Sequence, residues 1–419
     1  MWLRKLLLLF TISVAFSQSI HNAYGLGEIY FNHDASSLAM SSRGIIPSFT
    51  EDVSLSNPAT WNNLKFAYLA GNYSGNEVSS ELGVNGLTGF NSVHFVVPIG
   101  TKYAWGFGLR PVFNQQFLLK GSVSEFIVNN DTLSTQHFID GSGGVSSLYT
   151  ALRFPLTSTE GLAIEFDILF GSFRKDTKFS FDNRTYHYLQ RNIFTGTLYK
   201  LFIISNRFNN GKFPANIFFM ISGSVRSLKA KQLSFQPFED VNGNGYFDSS
   251  PPSDNPPPSS VPSAETTVYH NIYDPSELGF GLDFKIKNKF HIMVEAHHWK
   301  DIGKKPNELF PLKSLYINES NQYSISISKF SPVAAIKMLQ KMQYRAGLYY
   351  RKDILYTDLS PMNEFGLTVG FGIKFGLTNN QLDFAYKYGM RTGKMISDEI
   401  IQQITVGVHL GDLWFVKRR

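Results

Sequence analysis

Cysteine is absent from all 419 residues, which excludes a disulfide framework and any thiolate-held metal centre. Past residue 17 no stretch of about 18 apolar residues occurs, so no helical membrane span is encoded. The sequence also lacks G-x-S-x-G, H-E-x-x-H and a phosphate-binding loop, and nothing in it supports catalysis. His297 and His298 are neighbours; on a strand they point to opposite faces and cannot chelate one ion together. Charge is sparse, at 17% of residues, with 39 basic against 33 acidic side chains. Of the formal +6, Arg4 and Lys5 supply two near the N-terminus. The remainder is mild. It suits a surface facing anionic lipid head groups and does not argue for nucleic acid.

Aromatic residues and glycine are plentiful: 37 Phe, 20 Tyr and 34 Gly. The start, two cations by Lys5, the run "LLLLFTISVAF" and "AFS" before Gln18, reads as a signal peptide over 1–17. A secreted, aromatic-rich chain without helical spans has one way left to cross a bilayer. That way is a closed β-barrel, because every backbone group in lipid must be paired internally.

Alternation supports it. In "EFGLTVGFGIKF", Phe365, Leu367, Val369, Phe371, Ile373 and Phe375 fall on one face, with Thr368 and Lys374 opposite. In "KFHIMVEAHHW", Phe290, Ile292, Val294 and Ala296 oppose His291, Glu295 and His297. Soluble sandwiches alternate too, but their strands average about 5–6 residues, whereas these runs reach about 10. Fourteen runs are predicted, near 64–72, 88–98, 104–117, 143–154, 161–173, 190–202, 214–229, 275–287, 289–300, 321–331, 341–352, 364–375, 381–391 and 400–411. Connections after even-numbered runs are mostly short and those after odd-numbered runs long, at 73–87, 118–142, 174–189, 230–274 and 301–320. Short turns at the periplasmic end and long loops outside are the layout of an outer-membrane barrel.

The stretch "EDVSLSNPATW", Glu51–Trp61, is irregular, and Asn57-Pro58 halts regular structure. Residues 18–63 can order only by packing on something. The lumen is the nearest surface, so they read as an N-terminal plug, or hatch, ahead of a barrel over 64–419.

With "YGLGEIYF", "ASSLAMSSRGI" and "DVSLSNPATW" leading into a barrel, the chain resembles the FadL-type long-chain fatty acid transporters. Asn57, Pro58 and Ala59 match the Asn-Pro-Ala of that family's hatch, and "GVHLGDLWFVKRR" is similar to the ending of FadL-like proteins from Bacteroidetes. It departs in having Ser41 and Ser42 where the family often has two glycines, and in ending Val416-Lys417-Arg418-Arg419 rather than on an aromatic residue. The resemblance implies a fourteen-stranded antiparallel barrel in the outer membrane of a Gram-negative bacterium. It implies passive transport of long-chain fatty acids or similar hydrophobic molecules, with no catalysis and no required cofactor. Expected partners are membrane lipid and lipopolysaccharide, a hydrophobic small-molecule ligand, and the barrel-assembly machinery during insertion. Two rivals stand: a surface-assembly partner like PorV of type IX secretion, and an aqueous porin.

Four sites follow. Pro111 interrupts the third run, where a closed barrel has no edge to absorb a missing N–H; it marks either a simple bulge or, as the family's inward kink implies, a lateral gate. Gln343, Arg345, Arg351, Glu165, Asp167, Asp283, Lys285, Glu295, Asp383 and Lys387 face inward by alternation. They read as a pairing network filling the barrel, or, for a cation such as Arg345, as a contact for a carboxylate head group. In "EDVNGNGYFD", Asp240, Asn242, Asn244, Tyr246 through its carbonyl, and Asp248 occupy positions 1, 3, 5, 7 and 9 of a calcium loop, with Gly245 at the turn. Position 12 holds Pro251 instead of an acid, which leaves an Asn-Gly-rich turn as the alternative. The proline-rich "SSPPSDNPPPSSVPS" after it reads as an extended loop tip.

Overall fold

The computed structural model describes residues 20–412 apart from 82, 101, 122, 129–130, 158, 182–183, 209–213, 236, 249–253, 255–264, 287–289, 311–315, 333–336, 357–360, 377, 379 and 394–395. The predicted signal segment, Pro251 and the last seven residues lie outside that set.

Fourteen antiparallel strands close into a barrel. They are β1 (Ala67–Ser80), β2 (Gly83–Ile99), β3 (Tyr103–Asn114, Phe117–Lys120 and Ser124–Val128), β4 (Asp131–Pro155), β5 (Glu160–Phe181), β6 (Arg184–Phe208) and β7 (Ala215–Ser234). The rest are β8 (Glu265–Tyr273 and Pro275–Ile286), β9 (Phe290–Asp301), β10 (Ile317–Lys329), β11 (Met342–Leu355), β12 (Pro361–Phe375), β13 (Asn380–Gly393) and β14 (Ile396–Asp412). Closure is made by β14 on β1, from Asp412 opposite Ala67 to Glu399 opposite Ser80.

The alternation turns the usual globular pattern inside out. On β12, Phe365, Leu367 and Val369 are exposed, while Glu364 and Thr368 are buried. On β9, Val294 is exposed, while His291, Glu295, His297 and Trp299 are buried in the lumen. A hydrocarbon solvent outside and a polar filling inside select that arrangement.

The wall is uneven. Strands β4 to β7 run 25, 22, 25 and 20 residues, against 12 and 13 for β9 and β10. A spanning strand needs about 9–11, so one side of the barrel rises well above the membrane. This corrects the expected loops. Residues 73–87, 118–142 and 174–189 are mostly strand, with short turns, and 265–273 extends β8. Above the lipid both faces of a strand meet water, so the apolar stripe fades and the run reads as loop.

The residues before β1 lie inside the barrel. Asp34 caps the short helix Ala35–Leu38 by accepting the Ser37 N–H, and Asn57 caps the 3₁₀ turn Pro58–Asn63 by accepting the Ala59 N–H. Met40, Ile45, Ile46 and Ala59 pack on Phe202, Phe218 and Met293 of the wall. Phe49, Leu55 and Trp61 pack on Tyr68, Val96 and Tyr149. The outer half of the lumen is apolar as well. There Leu26 of the N-terminal segment and Leu309 and Phe310 of the β9–β10 connection join Phe113, Phe117 and Phe173.

Candidate functional site

Among the described residues the barrel wall has a seam between β2 and β3. β2 and β3 pair from Ile99 opposite Tyr103 up to Val93 opposite Leu109, and there the ladder stops. Above it, residues 83–92 of β2 keep only their pairing to β1, and β3 continues on its pairing to β4. Pro111 stands two residues past Leu109, and the β3–β4 register shifts between Pro111 and Phe113. The predicted irregularity is therefore real, and it lies where the neighbouring ladder ends.

The N-terminal segment fills the lower part of this gap. Glu28 and Ile29 pair with Asn114 and Phe113, and the Tyr30 N–H donates to the Val112 carbonyl at 3.0 Å. On the other lip, Asn91 Nδ2 donates to the Asn32 carbonyl at 3.3 Å and Ser92 Oγ to the His33 carbonyl at 2.5 Å. Gly27 makes the approach, at φ +96° and with its α-carbon against the Asn114 carbonyl; a Cβ would collide there. Residues 28–33 thus stand in for a missing stretch of wall. Each backbone group left unpaired in lipid would cost several kcal/mol.

Behind the seam is a cavity of about 90 Å³ lined by Ile29, Phe31, Arg110, Val112, Leu198 and Lys200, among others. Its charges are matched. Arg110 contacts Glu165 and sits 2.7 Å from Asp167, Lys200 is 3.1 Å from Glu165, and Arg43 is 3.0 Å from Glu277 while stacking over the Phe31 ring. The Lys200 side chain, about 20% exposed, is the freest of these cations.

The remaining predicted residues are placed as follows. Asn57 donates from Nδ2 to the Ile45 carbonyl at 2.6 Å, tying the 3₁₀ turn to the strand-free loop above it. Ala59 is fully buried. Arg345 is spent: it holds Asp383 at 2.7 Å and Gln343 at 2.7 Å with no exposed surface, and it does not line the cavity. Here Arg345 takes part in the pairing network, the first of the two readings its inward position allowed. Arg351, Lys387 and Arg391 converge on Glu364 at 2.6, 3.0 and 2.9 Å. His297 bridges Glu277 and Glu295, whereas His298 faces out. Asp283 pairs with His291, and Lys285 with Asp52 of the hatch.

In the outer loop, Asp240 accepts the Gly243 and Gly245 N–H groups, and both Asn242 and Asn244 donate to Asp248. Asp254, which sequence spacing did not bring in, accepts the Val241 and Asp248 N–H groups. Among the described residues no group of three or more acidic or histidine side chains is set to hold a metal.

Residues 28–33, Arg43 and Arg110 were missed as site residues. Arg110 had a signal, being the inward-facing neighbour of Pro111. The "EIYF" that fills the seam had none, since its partners lie more than eighty residues away.

The chain shares its fold with solved structures of low identity. The CymD monoaromatic hydrocarbon channel matches at 12% identity and TM-score 0.54, covering 94% of this chain and all of that one. A Pseudomonas aeruginosa FadL homologue matches at 11% and 0.55, covering 91% and 98%. The Pseudomonas putida toluene transporter TodX matches at 12% and 0.50, covering 92% and 99%. No curated protein matches. Residues 3–419 match the family described as BamG, so this seamed barrel, with its N-terminal segment packed on the inner wall, belongs to the BamG family.

Proposed function

We propose that the protein is a barrel of the Gram-negative outer membrane that passes a hydrophobic or amphipathic small molecule, such as a long-chain fatty acid, sideways through the β2–β3 seam. The observation carrying this reading is the seam itself, closed in the bilayer only by residues 28–33 and backed by a mixed apolar and charged cavity. Small displacement of the hatch segment would join cavity and lipid without opening a water path. Proteins of the same fold are described as a monoaromatic hydrocarbon channel and a toluene transporter, which supports a greasy ligand. Lys200 and Arg110 replace Arg345 as the groups a polar head would meet. No residue is given a catalytic role.

A cavity of about 90 Å³ holds only a few waters, so an aqueous porin is disfavoured. The filled lumen does favour the second reading, a barrel that serves as a surface-assembly partner. Uptake of a labelled long-chain fatty acid and of labelled toluene, in cells lacking their own transporters, tests the first. Uptake by the natural chain that Pro111→Ala or a locked seam reduces supports it; no uptake of either compound, with correct insertion, rejects it in favour of the partner reading.

A further inference from the structure

The upper part of the seam has a second consequence, unrelated to transport. Residues 83–90 form a β-edge that nothing in the described chain covers: β1 takes one side, and the β3 ladder begins only at Val93. Seven residues, 93–99, are paired below, which with a spanning requirement of about 9–11 residues puts most of 83–90 at or above the outer membrane surface. On β3, residues 117–120 and 124–128 likewise pair on one side alone among the described residues.

Free edges are normally blunted by lysine, proline, inward charge or a covering loop. Between Glu81 and His94 the sequence is "LGVNGLTGFNSV", with no charge and no proline. Val84 and Phe90 are exposed on its outer face. The glycines are not required by the chain's own packing. A Cβ at Gly86 would lie 4.0 Å from the nearest atom and one at Gly89 would meet nothing, and neither has a positive φ. Glycine in a strand with open space beside it permits close approach of another backbone.

We propose that the β2 edge over residues 83–90 receives an extended β-strand from a second, different polypeptide at the outer face of the membrane. A row of free N–H and C=O groups on alternate residues specifies a peptide backbone rather than a lipid chain. A second copy of this chain does not fit. Two barrels related by a twofold along the membrane normal would cross their facing strands at twice the tilt, roughly 70–90° for strands tilted about 35–45°, too steep for a ladder.

Amide hydrogen exchange tests it. The full chain is compared in native outer membranes and, after purification, in vesicles of phospholipid with lipopolysaccharide. Amides in 83–90 that point away from β1 are expected to exchange about tenfold or more slower in native membranes, while those of 93–99 are equally protected in both. The double variant Gly86→Lys, Gly89→Lys, which the open space accommodates, is expected to erase the difference at 83–90 and leave 93–99 protected. Equal exchange in both preparations overturns the proposal. Protection that persists in the purified vesicles also overturns it, since lipid, lipopolysaccharide or a second copy then covers the edge. Protection that the lysines do not disturb overturns it as well.

Discussion

Ile29 lies directly opposite Phe113, so a residue far outside the barrel strands completes the wall where Val93 and Leu109 end their ladder. The N-terminal segment is therefore part of the wall as well as packed inside it. In the proposed lateral passage, residues 28–33 are the part that moves and Pro111 stands on the fixed lip.

That arrangement can be locked. The chain has no cysteine, so Ile29→Cys with Phe113→Cys yields one defined disulfide, and paired strand positions are close enough to form it. Uptake of labelled fatty acid is expected to fall at least tenfold when oxidised and to return with reductant. Unchanged uptake in the oxidised form would remove residues 28–33 from the pathway.

Arg345 and Lys200 separate stability from transport. Arg345→Ala leaves the fully buried Asp383 to Gln381 and His409 and is expected to cost about 3 kcal/mol, the low end for a broken buried pair, seen as a lower unfolding temperature, with uptake per folded molecule retained. Lys200→Met, at the partly exposed cavity cation, is expected to lower uptake severalfold with a smaller loss of stability. The reverse pattern would return the head-group role to Arg345.

Asp34 makes the hatch acid-sensitive. Burial alone would raise its pKa, but hydrogen bonds from Ser36, Ser56 and the Ser37 N–H, with a contribution from His94, hold it below the ordinary carboxylate value. A group depressed in the folded state stabilises fully above its unfolded pKa of about 3.9 and loses that contribution as pH falls through its folded value. Melting measured from pH 6 down to 3 is expected to drop more steeply for the natural chain than for Asp34→Asn. Parallel curves would remove Asp34 from the linkage.

The outer loop gives a calcium prediction. Asp240 and Asp248 bracket a turn that Asp254 clamps, and the Asn242 and Asn244 amide nitrogens that now face Asp248 would have to turn their oxygens, with the Tyr246 carbonyl, toward a cation that meets two carboxylates rather than the usual three or more. Weak binding is expected, near the 10⁻⁴–10⁻³ M range of extracellular sites, and Asp240→Asn with Asp248→Asn is expected to abolish it. Calorimetry showing no calcium heat at millimolar concentration would reduce the motif to an Asn-Gly turn.

Legibility divides along the membrane surface. Within the bilayer, lipid demands an apolar exterior and the lumen accepts Glu165, Glu295 or Asp383, so alternation alone located all fourteen strands and the inward charges. Outside it, Lys175, Asp176 and Lys178 of β5 follow no apolar stripe, with Asp176 buried against His187, and the strand continues without a pattern to announce it. Asn57-Pro58 and Pro111 were readable because proline acts on its own backbone.

The sequence by itself determined the barrel, its strand count, its inside and outside, and the positions where the chain must break. Only the tertiary structure decided which inward charges are spent on each other, as Arg345 is on Asp383, and which border a cavity, as Lys200 does. It alone set residues 28–33 into the seam and left one edge of 83–90 unpaired among the described residues. Alternation is local, a matter of which solvent each side chain meets. Pairing across a lumen depends on where residues many strands apart arrive when the sheet closes.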